Sequence, residues 1–195
     1  MISFYKPTPK VTGTALSFYL NKRDNAFFSE LLKQASWDAS TRRANFLSNK
    51  KVEGKNVNIK FSQAEVASFV DAIERNVEFS GYHGSNQVVR FSFGPYTPKV
   101  KDEQGNWSEG KVQKGYSFRV TRESKEDSTN KASFAVGLDY AEAALLKEHL
   151  KYLLQQSFEI EDKKLEEKFK NNYKQQNTPQ QQDSQPVEVE EDDLW

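Results

Sequence analysis

Cysteine is absent from this 195-residue chain, so disulfide frameworks and thiolate-held metal sites are excluded, in keeping with a reducing compartment. Histidine is nearly absent: His83, expected in a turn "GYHGSN", and His149 stand apart from any metal-spaced partner or serine nucleophile motif. The complete phosphate-loop signature, G-x-x-x-x-G-K followed by Ser or Thr, does not occur, nor do G-x-G-x-x-G or G-x-S-x-G. The carboxylates Asp102, Glu103 and Glu109 share one loop without a fixed ligand spacing. The expectation is a protein that is not an enzyme, with no catalytic residue, metal or cofactor. No apolar run approaches the roughly 20 residues that span a bilayer, and "MISFYKPTPK" lacks the apolar centre of a signal peptide. A cytoplasmic protein without a membrane partner is expected.

What is present is a core's worth of apolar residues, 36% of the chain with 13% aromatic, and a charge balance of zero that conceals a gradient. Residues 1–60 carry 11 Lys and Arg against 4 Asp and Glu, a net of +7. Residues 61–182 carry 17 against 18, and Asp183 with five carboxylates of the last nine residues supplies the remaining −6. A basic body suits a polyanion, and an acidic tail repels or imitates one.

Two stretches share one pattern, "NVNIKFSQAEVASFVDAI" (56–73) and "SFAVGLDYAEAALLKEHL" (133–150). Val57, Ile59 and Phe61 alternate as a half-buried strand does. Ser62 and Glu65 then spell a capping box, and Val66, Phe69, Val70 and Ile73 follow at helical spacing. The second stretch repeats this with Phe134, Val136 and Leu138, an N-cap at Asp139 with Glu142, and Leu146, Leu150 and Leu153. Ahead of the first helix, period-2 runs place strands at 14–20, 26–35, 42–48 and 56–61. Ahead of the second, they place strands at 77–83, 87–93, 115–121 and 132–138. The segment 26–35 also has Leu and Lys content that suits a helix. The fold class expected is α+β: two pseudo-symmetric repeats of four antiparallel strands followed by a helix, repeat one about 10–76 and repeat two about 77–157, within a binding domain 1–160.

Residues 94–115, with Pro95, Pro98, Gly105 and Gly110, are expected to form an extended hairpin. Residues 161–195 are expected to be a flexible tail with an acidic tip at 187–195. Helical spacing continues through "EIEDKKLEEKFKNNYKQQ", and disorder is expected from about residue 174.

Cations and aromatics cluster at strand edges and turns. Tyr19, Lys22 and Arg23 lie at the first hairpin, and Trp37 precedes Arg42 and Arg43. Lys50, Lys51, Lys55 and Lys60 surround the fourth strand, while Arg90 and Arg119 point outward if Val89, Phe91, Phe118 and Val120 point inward. A sheet offering cations to phosphates and rings to bases is how sequence-tolerant binding of single strands is built. The helices carry Glu65, Asp71, Glu74, Glu142 and Glu148, which argues against insertion into a duplex major groove.

The order of four strands and a helix, twice in one chain, resembles the Whirly proteins and their single-repeat relative, the transcriptional coactivator positive cofactor four. It is most similar to bacteriophage-encoded members of that superfamily. "KVTGTALSFYLNKRD" (10–24), "KNVNIKFSQAEVASFVDAIE" and "FAVGLDYAEAALLKEHLKYLL" carry the resemblance, over about residues 10–157. Where the plant proteins have a "KGKAALS"-like motif this chain reads "KVTGTALS". The resemblance implies single-stranded DNA binding with little sequence preference along sheet surfaces and edges, in a homo-oligomer, during phage replication or recombination. The closing "EVEEDDLW" is similar to the acidic, aromatic-tipped tails of single-stranded DNA-binding proteins of other folds. It makes Glu190, Glu191, Asp192, Asp193, Leu194 and Trp195 candidates for recruiting replication or recombination proteins. The alternatives are a transcription regulator or RNA-binding protein of the same fold, an OB-fold single-strand binder, and a metal-dependent nuclease.

Overall fold

Each half of the chain lays down four antiparallel strands and then a helix. The computed structural model describes residues 1–84, 87–101, 104–110, 112–126 and 130–176. The first sheet contains, in spatial order, β1 (Ile2–Lys6), β2 (Thr14–Asn21), β3 (Ala26–Lys33) and β6 (Asn56–Phe61). A small hairpin, β4 (Ser36–Asp38) and β5 (Arg43–Asn45), interrupts it before β6. Helix α1 (Gln63–Arg75) closes this half. The second sheet runs β7 (Phe79–Gly84), β8 (Gln87–Pro95), β11 (Tyr116–Ser124) and β12 (Lys131–Leu138). The hairpin β9 (Lys99–Lys101) and β10 (Trp107–Glu109) is inserted after β8, and α2 (Tyr140–Gln176) follows β12. Met1–Ile160 form one compact unit, and a second begins at Glu161, within α2.

The α+β repeat is therefore present, with segment 26–35 a strand and 94–115 carrying a hairpin as expected. Two elements differ from the sequence reading. Segment 42–48 is not a sheet strand: only Arg43–Asn45 pair, with β4, and Leu47–Asn49 form a 3-10 turn. The fourth strand of the first sheet is instead β1, so the repeat begins at residue 2 rather than 10. β1 is short and holds only Ile2 and Phe4 as apolar residues on one face, too weak an alternation to stand out before "KPTPK". Helix α2 runs to Gln176, following the helical spacing of "EIEDKKLEEKFKNNYKQQ", and residues 177–195, including the tail candidates, lie outside the described residues.

The two halves agree down to strand register. Leu16↔Leu31↔Val57 in the first sheet has its counterpart in Phe91↔Val120↔Phe134 in the second. On the same frame "ISFYK" of β1 superposes on "FSGYH" of β7, matching Tyr5 with Tyr82 and Lys6 with His83. Gly81 stands where β1 has Phe4, because a Cβ there would lie 2.2 Å from the Phe91 ring.

Both helices start as their sequences dictate. The Ser62 hydroxyl accepts the Glu65 N–H at 3.2 Å and the Ser62 N–H donates to Glu65 Oε2 at 2.8 Å. The Asp139 carboxylate accepts the Glu142 N–H at 2.8 Å, and the Asp139 N–H donates to Glu142 Oε2 at 2.9 Å. Asn76 ends α1 in the left-handed conformation. Phe69 of α1, fully buried, packs its ring against Phe18 and Phe61 of the first sheet and Phe79, Phe91, Phe93 and Phe118 of the second. One aromatic core thus serves both sheets and leaves each with an outward face. Two four-stranded sheets with helices, rather than a closed barrel, remove the OB-fold alternative.

Candidate nucleic-acid interface

Strand alternation decides which side chains the outward faces present. With Leu16, Phe18, Phe27, Leu31, Ile59 and Phe61 committed to the core, the first sheet turns Tyr5, Tyr19, Phe28, Glu30, Asn58 and Lys60 outward. Tyr19 and Phe28 face each other across β2 and β3 and stack at 5.5 Å with 20° between ring planes. Lys60 is the next residue in that row, opposite Phe28, and Asn58 reaches the Tyr19 hydroxyl at 3.4 Å. Lys22 and Arg23 stand exposed in the turn beyond, where Arg23 meets Asp24 at 3.3 Å. One row therefore supplies two rings and a cation, which is a stacking platform with a phosphate partner beside it.

The second sheet turns different chemistry outward at the same register positions. Arg90 and Arg119 are exposed while Val89, Phe91, Phe118 and Val120 are buried, as the alternation requires. Arg90 lies opposite Tyr82, its guanidinium 5.7 Å from the ring centre, and approaches Glu123 at 3.6 Å. Gly84 makes room for Tyr82, since a Cβ there would lie 2.5 Å from its hydroxyl. Arg119 lines a small polar recess with Glu78, Ser92, Gly94, Pro95 and Ser117. The position of Arg119 in this sheet is that of Glu30 in the first.

The remaining candidates belong to the inserted segment between β3 and β6. Asp38 accepts hydrogen bonds from Ser40 and Thr41 that hold its carboxyl well below the usual carboxylate range, so the β4–β5 turn is pinned by a charged side chain. This presents Arg42, at a positive φ of 54°, and Arg43 to solvent, while Trp37 is half-buried opposite Ala44. Lys51 is exposed, and Lys50 reaches Glu30 at 3.5 Å. The candidates thus fall into three groups: Tyr19, Lys22, Arg23 and Lys60 on one end of the first sheet, Trp37, Arg42, Arg43, Lys50 and Lys51 in the inserted segment, and Arg90 with Arg119 on the second sheet.

Sequence reasoning missed Tyr5, Phe28 and Tyr82. Tyr5 and Tyr82 are the outward tyrosines of two edge strands, 61% and 58% exposed. Aligning "ISFYK" with "FSGYH" would have found both. Two further readings are corrected. His83 lies within β7, not in a turn, and its Nε2 is 2.6 Å from Glu65 Oε1. The helix carboxylates are not a bare acidic face: Glu65 pairs with His83, Asp71 with Arg75, Glu74 with Lys147 and Lys151, Glu142 with Lys6, and Glu148 with Lys147.

Residues Gly105–Lys111 do spell G-x-x-x-x-G-K, but Val112 follows in place of the hydroxyl residue. The stretch also runs through β10 of a hairpin, so no helix N-terminus stands behind it as phosphate cradling requires. Among the described residues no three of His, Asp and Glu gather into a group that could hold a metal ion.

No protein-family model matches the sequence, and no curated protein is significantly similar to it. Among solved structures, WHY3 from Arabidopsis thaliana matches with a TM-score of 0.52 at 13% identity, over 80% of this chain and 87% of that one. The fold is Whirly-like. WHY1 from the same plant gives a TM-score of 0.49 at 15% identity, over 78% of this chain and 81% of that one. The trypanosoma bruciei MRP1/MRP2 structure gives 0.48 at 13% identity, over 80% and 92%.

Proposed function

We propose that this protein binds single-stranded DNA with little sequence preference and performs no chemistry on it. The observation that carries the reading is the pair of register-matched sheets, one facing outward with the Tyr19–Phe28 stack beside Lys60 and the other with Tyr82, Arg90 and Arg119. Rings offer stacking to any base, since every base has a π-face, and the cations meet phosphates by displacing counterions. A duplex hides its base faces, so this chemistry favours unpaired strands. The Whirly-like fold supports the same direction, because the resemblance noted in the sequence implies single-strand binding on sheets.

The finer reading is a coat for transient single strands in replication or recombination, assembled as a homo-oligomer and phage-encoded, acting in a bacterial cytoplasm. In it the acidic tip at 187–195 competes with DNA for the cationic sheets and, once displaced, recruits replication or recombination proteins through Leu194 and Trp195. The deciding measurement is a titration of the full chain with labelled single-stranded DNA, single-stranded RNA and duplex DNA at several salt concentrations. Preferential, salt-sensitive binding of single-stranded DNA is expected. Equal affinity for duplex, or tighter binding of RNA, would replace this reading.

A further inference from the structure

The edge strand β1 and the segment inserted after β3 enclose a cleft of about 560 Å³ lined by Tyr5, Pro7, Ala44, Asn45, Phe46 and Leu47. That volume is in the range of small-ligand sites, about 300–1,000 Å³. Its floor is fixed. Phe46 is buried in a satellite cluster with Ala15 and Leu32 on the outward side of the first sheet, and its ring lies 5.8 Å from that of Tyr5. Its lip is braced: Asn45 Oδ1 accepts the Ser48 N–H at 3.2 Å and Asn45 Nδ2 donates to Ser48 Oγ at 2.9 Å, which sets the 3-10 turn carrying Leu47. Yet Leu47 is 74% exposed and Tyr5 61% exposed, so an apolar edge and an aromatic face stand in water across a preformed opening.

The surroundings select the occupant by charge. Residues 36–55, the segment that contributes Ala44, Asn45, Phe46 and Leu47 to the cleft, hold five cations, Arg42, Arg43, Lys50, Lys51 and Lys55, against two carboxylates, Asp38 and Glu53. Both carboxylates are engaged, Asp38 by its own turn and Glu53 by Asn130 and Arg122. A flat apolar guest with a polyanionic chain attached fits an aromatic cleft set in a segment that carries such cations. The β4–β5 hairpin leaves the end of β3 that adjoins Tyr5, whereas β9–β10 leaves β8 at the end away from Tyr82, so the inserted hairpin stands beside the tyrosine of the first half and not beside its counterpart.

We propose that this cleft is a nucleobase pocket: one unstacked base of a bound single strand lies against Tyr5 and Leu47 while its phosphates cross the cations of the inserted segment. The inference rests on the single-strand reading above and adds to it an anchoring subsite in the first half only.

The test uses the full chain and fluorescently labelled oligothymidine, with Tyr5→Ala, Leu47→Ser and Tyr5→Phe variants. Both altered side chains are exposed, and circular dichroism confirms that each variant is folded. Tyr5→Ala and Leu47→Ser are expected to weaken binding about 5- to 150-fold, the effect of losing one stacked base. Tyr5→Phe is expected to bind as the parent does, because the ring and not the hydroxyl makes the contact. Oligonucleotides carrying 5-iodouracil locate the base directly, since photocrosslinking should map to Tyr5 or Phe46. Crosslinks confined to other segments, or a parent that binds DNA while both variants stay within twofold of it, would overturn the pocket and leave single-strand binding intact. A parent that binds no single strand overturns the underlying reading instead. If Leu47→Ser dissociates an oligomer in sedimentation while DNA affinity per protomer is unchanged, the cleft is a subunit interface and the proposal fails.

Discussion

His83 of β7 and Glu65 of α1 meet at 2.6 Å, which ties the first strand of the second repeat to the capping box of the first. The mirror contact joins Lys6 of β1 to Glu142 in the capping box of α2. Each half therefore places a basic side chain, at the same position of its opening strand, on the helix start of the other. The two repeats are interlocked by the same device used twice, in addition to the core they share around Phe69.

The Glu65 contact carries a pH dependence. Burial pushes the Glu65 carboxyl up, but the Ser62 N–H, the His83 ring and the Ser62 hydroxyl together hold it below its ordinary value of 4.5. A depressed folded-state pKa stabilises the fold above about 4.5, and that contribution disappears as pH falls through the folded value. Glu65→Gln keeps the cap geometry but not the charge. Urea denaturation should show it less stable than the parent by up to about 1 kcal/mol at pH 7, with the gap closing as pH falls below 4.5.

His149 of α2 acts at a higher pH. Burial lowers its pKa below 6.5, and the Met1 ammonium adds to this, against the opposing hydrogen bond to the Phe18 carbonyl. Its Nε2 is buried with no hydrogen-bond partner among the described residues. The unfolded chain then binds the proton more readily, so stability falls as pH drops from about 6.5 toward the lower folded value. His149→Gln should flatten thermal stability across that window; an unchanged slope would show that another group sets it.

Phe69→Ala should cost about 3–5 kcal/mol, the usual penalty for emptying a buried phenylalanine site. Because its ring touches both sheets, the loss should appear in one unfolding transition shared by fluorescence and circular dichroism. Two separated transitions would show that the halves fold as independent units.

Arg90→Ala and Arg119→Ala, made separately, should each lower single-stranded DNA affinity and reduce the slope of log affinity against log salt by about 0.7, the value of one phosphate contact on a single strand. Mutating Lys163, exposed in the second unit, should leave that slope unchanged. A slope insensitive to both arginines would remove the second sheet from the interface.

Deleting residues 187–195 should tighten DNA binding at low salt, where the tip's five carboxylates compete best for the cationic sheets. The same deletion should abolish capture of a purified replication or recombination partner. Unchanged behaviour in both assays would reduce the segment to a solubility tail.

The repeat was legible because burial imposes period 2 on strands and period 3.6 on helices, and because Ser62–Glu65 and Asp139–Glu142 mark helix starts by local hydrogen bonding alone. β1 was not legible, since a five-residue edge strand with two core residues is held by its pairing with β2 rather than marked by an alternation of its own. Segment 42–48 failed for the converse reason. Its alternation of Ala44 and Phe46 is real, but those side chains cover a satellite cluster on the outer side of the sheet rather than the main core. Outward positions of Arg90, Arg119 and Lys60 followed from strand alternation. The Tyr19–Phe28 stack did not, because which residues lie side by side depends on register between strands.

By itself the sequence determined the two strand-to-helix joints, the inward and outward alternation and the charge gradient, all of which are set by neighbours within a few residues. Only the tertiary structure decided that Lys6 and His83 cross to the opposite repeat's helix, that Tyr5 acquires a walled cleft, and that Glu74 of α1 is paired by Lys147 and Lys151 of α2. These depend on contacts between residues far apart in the chain, whose meeting is fixed by sheet register and by packing around one shared core.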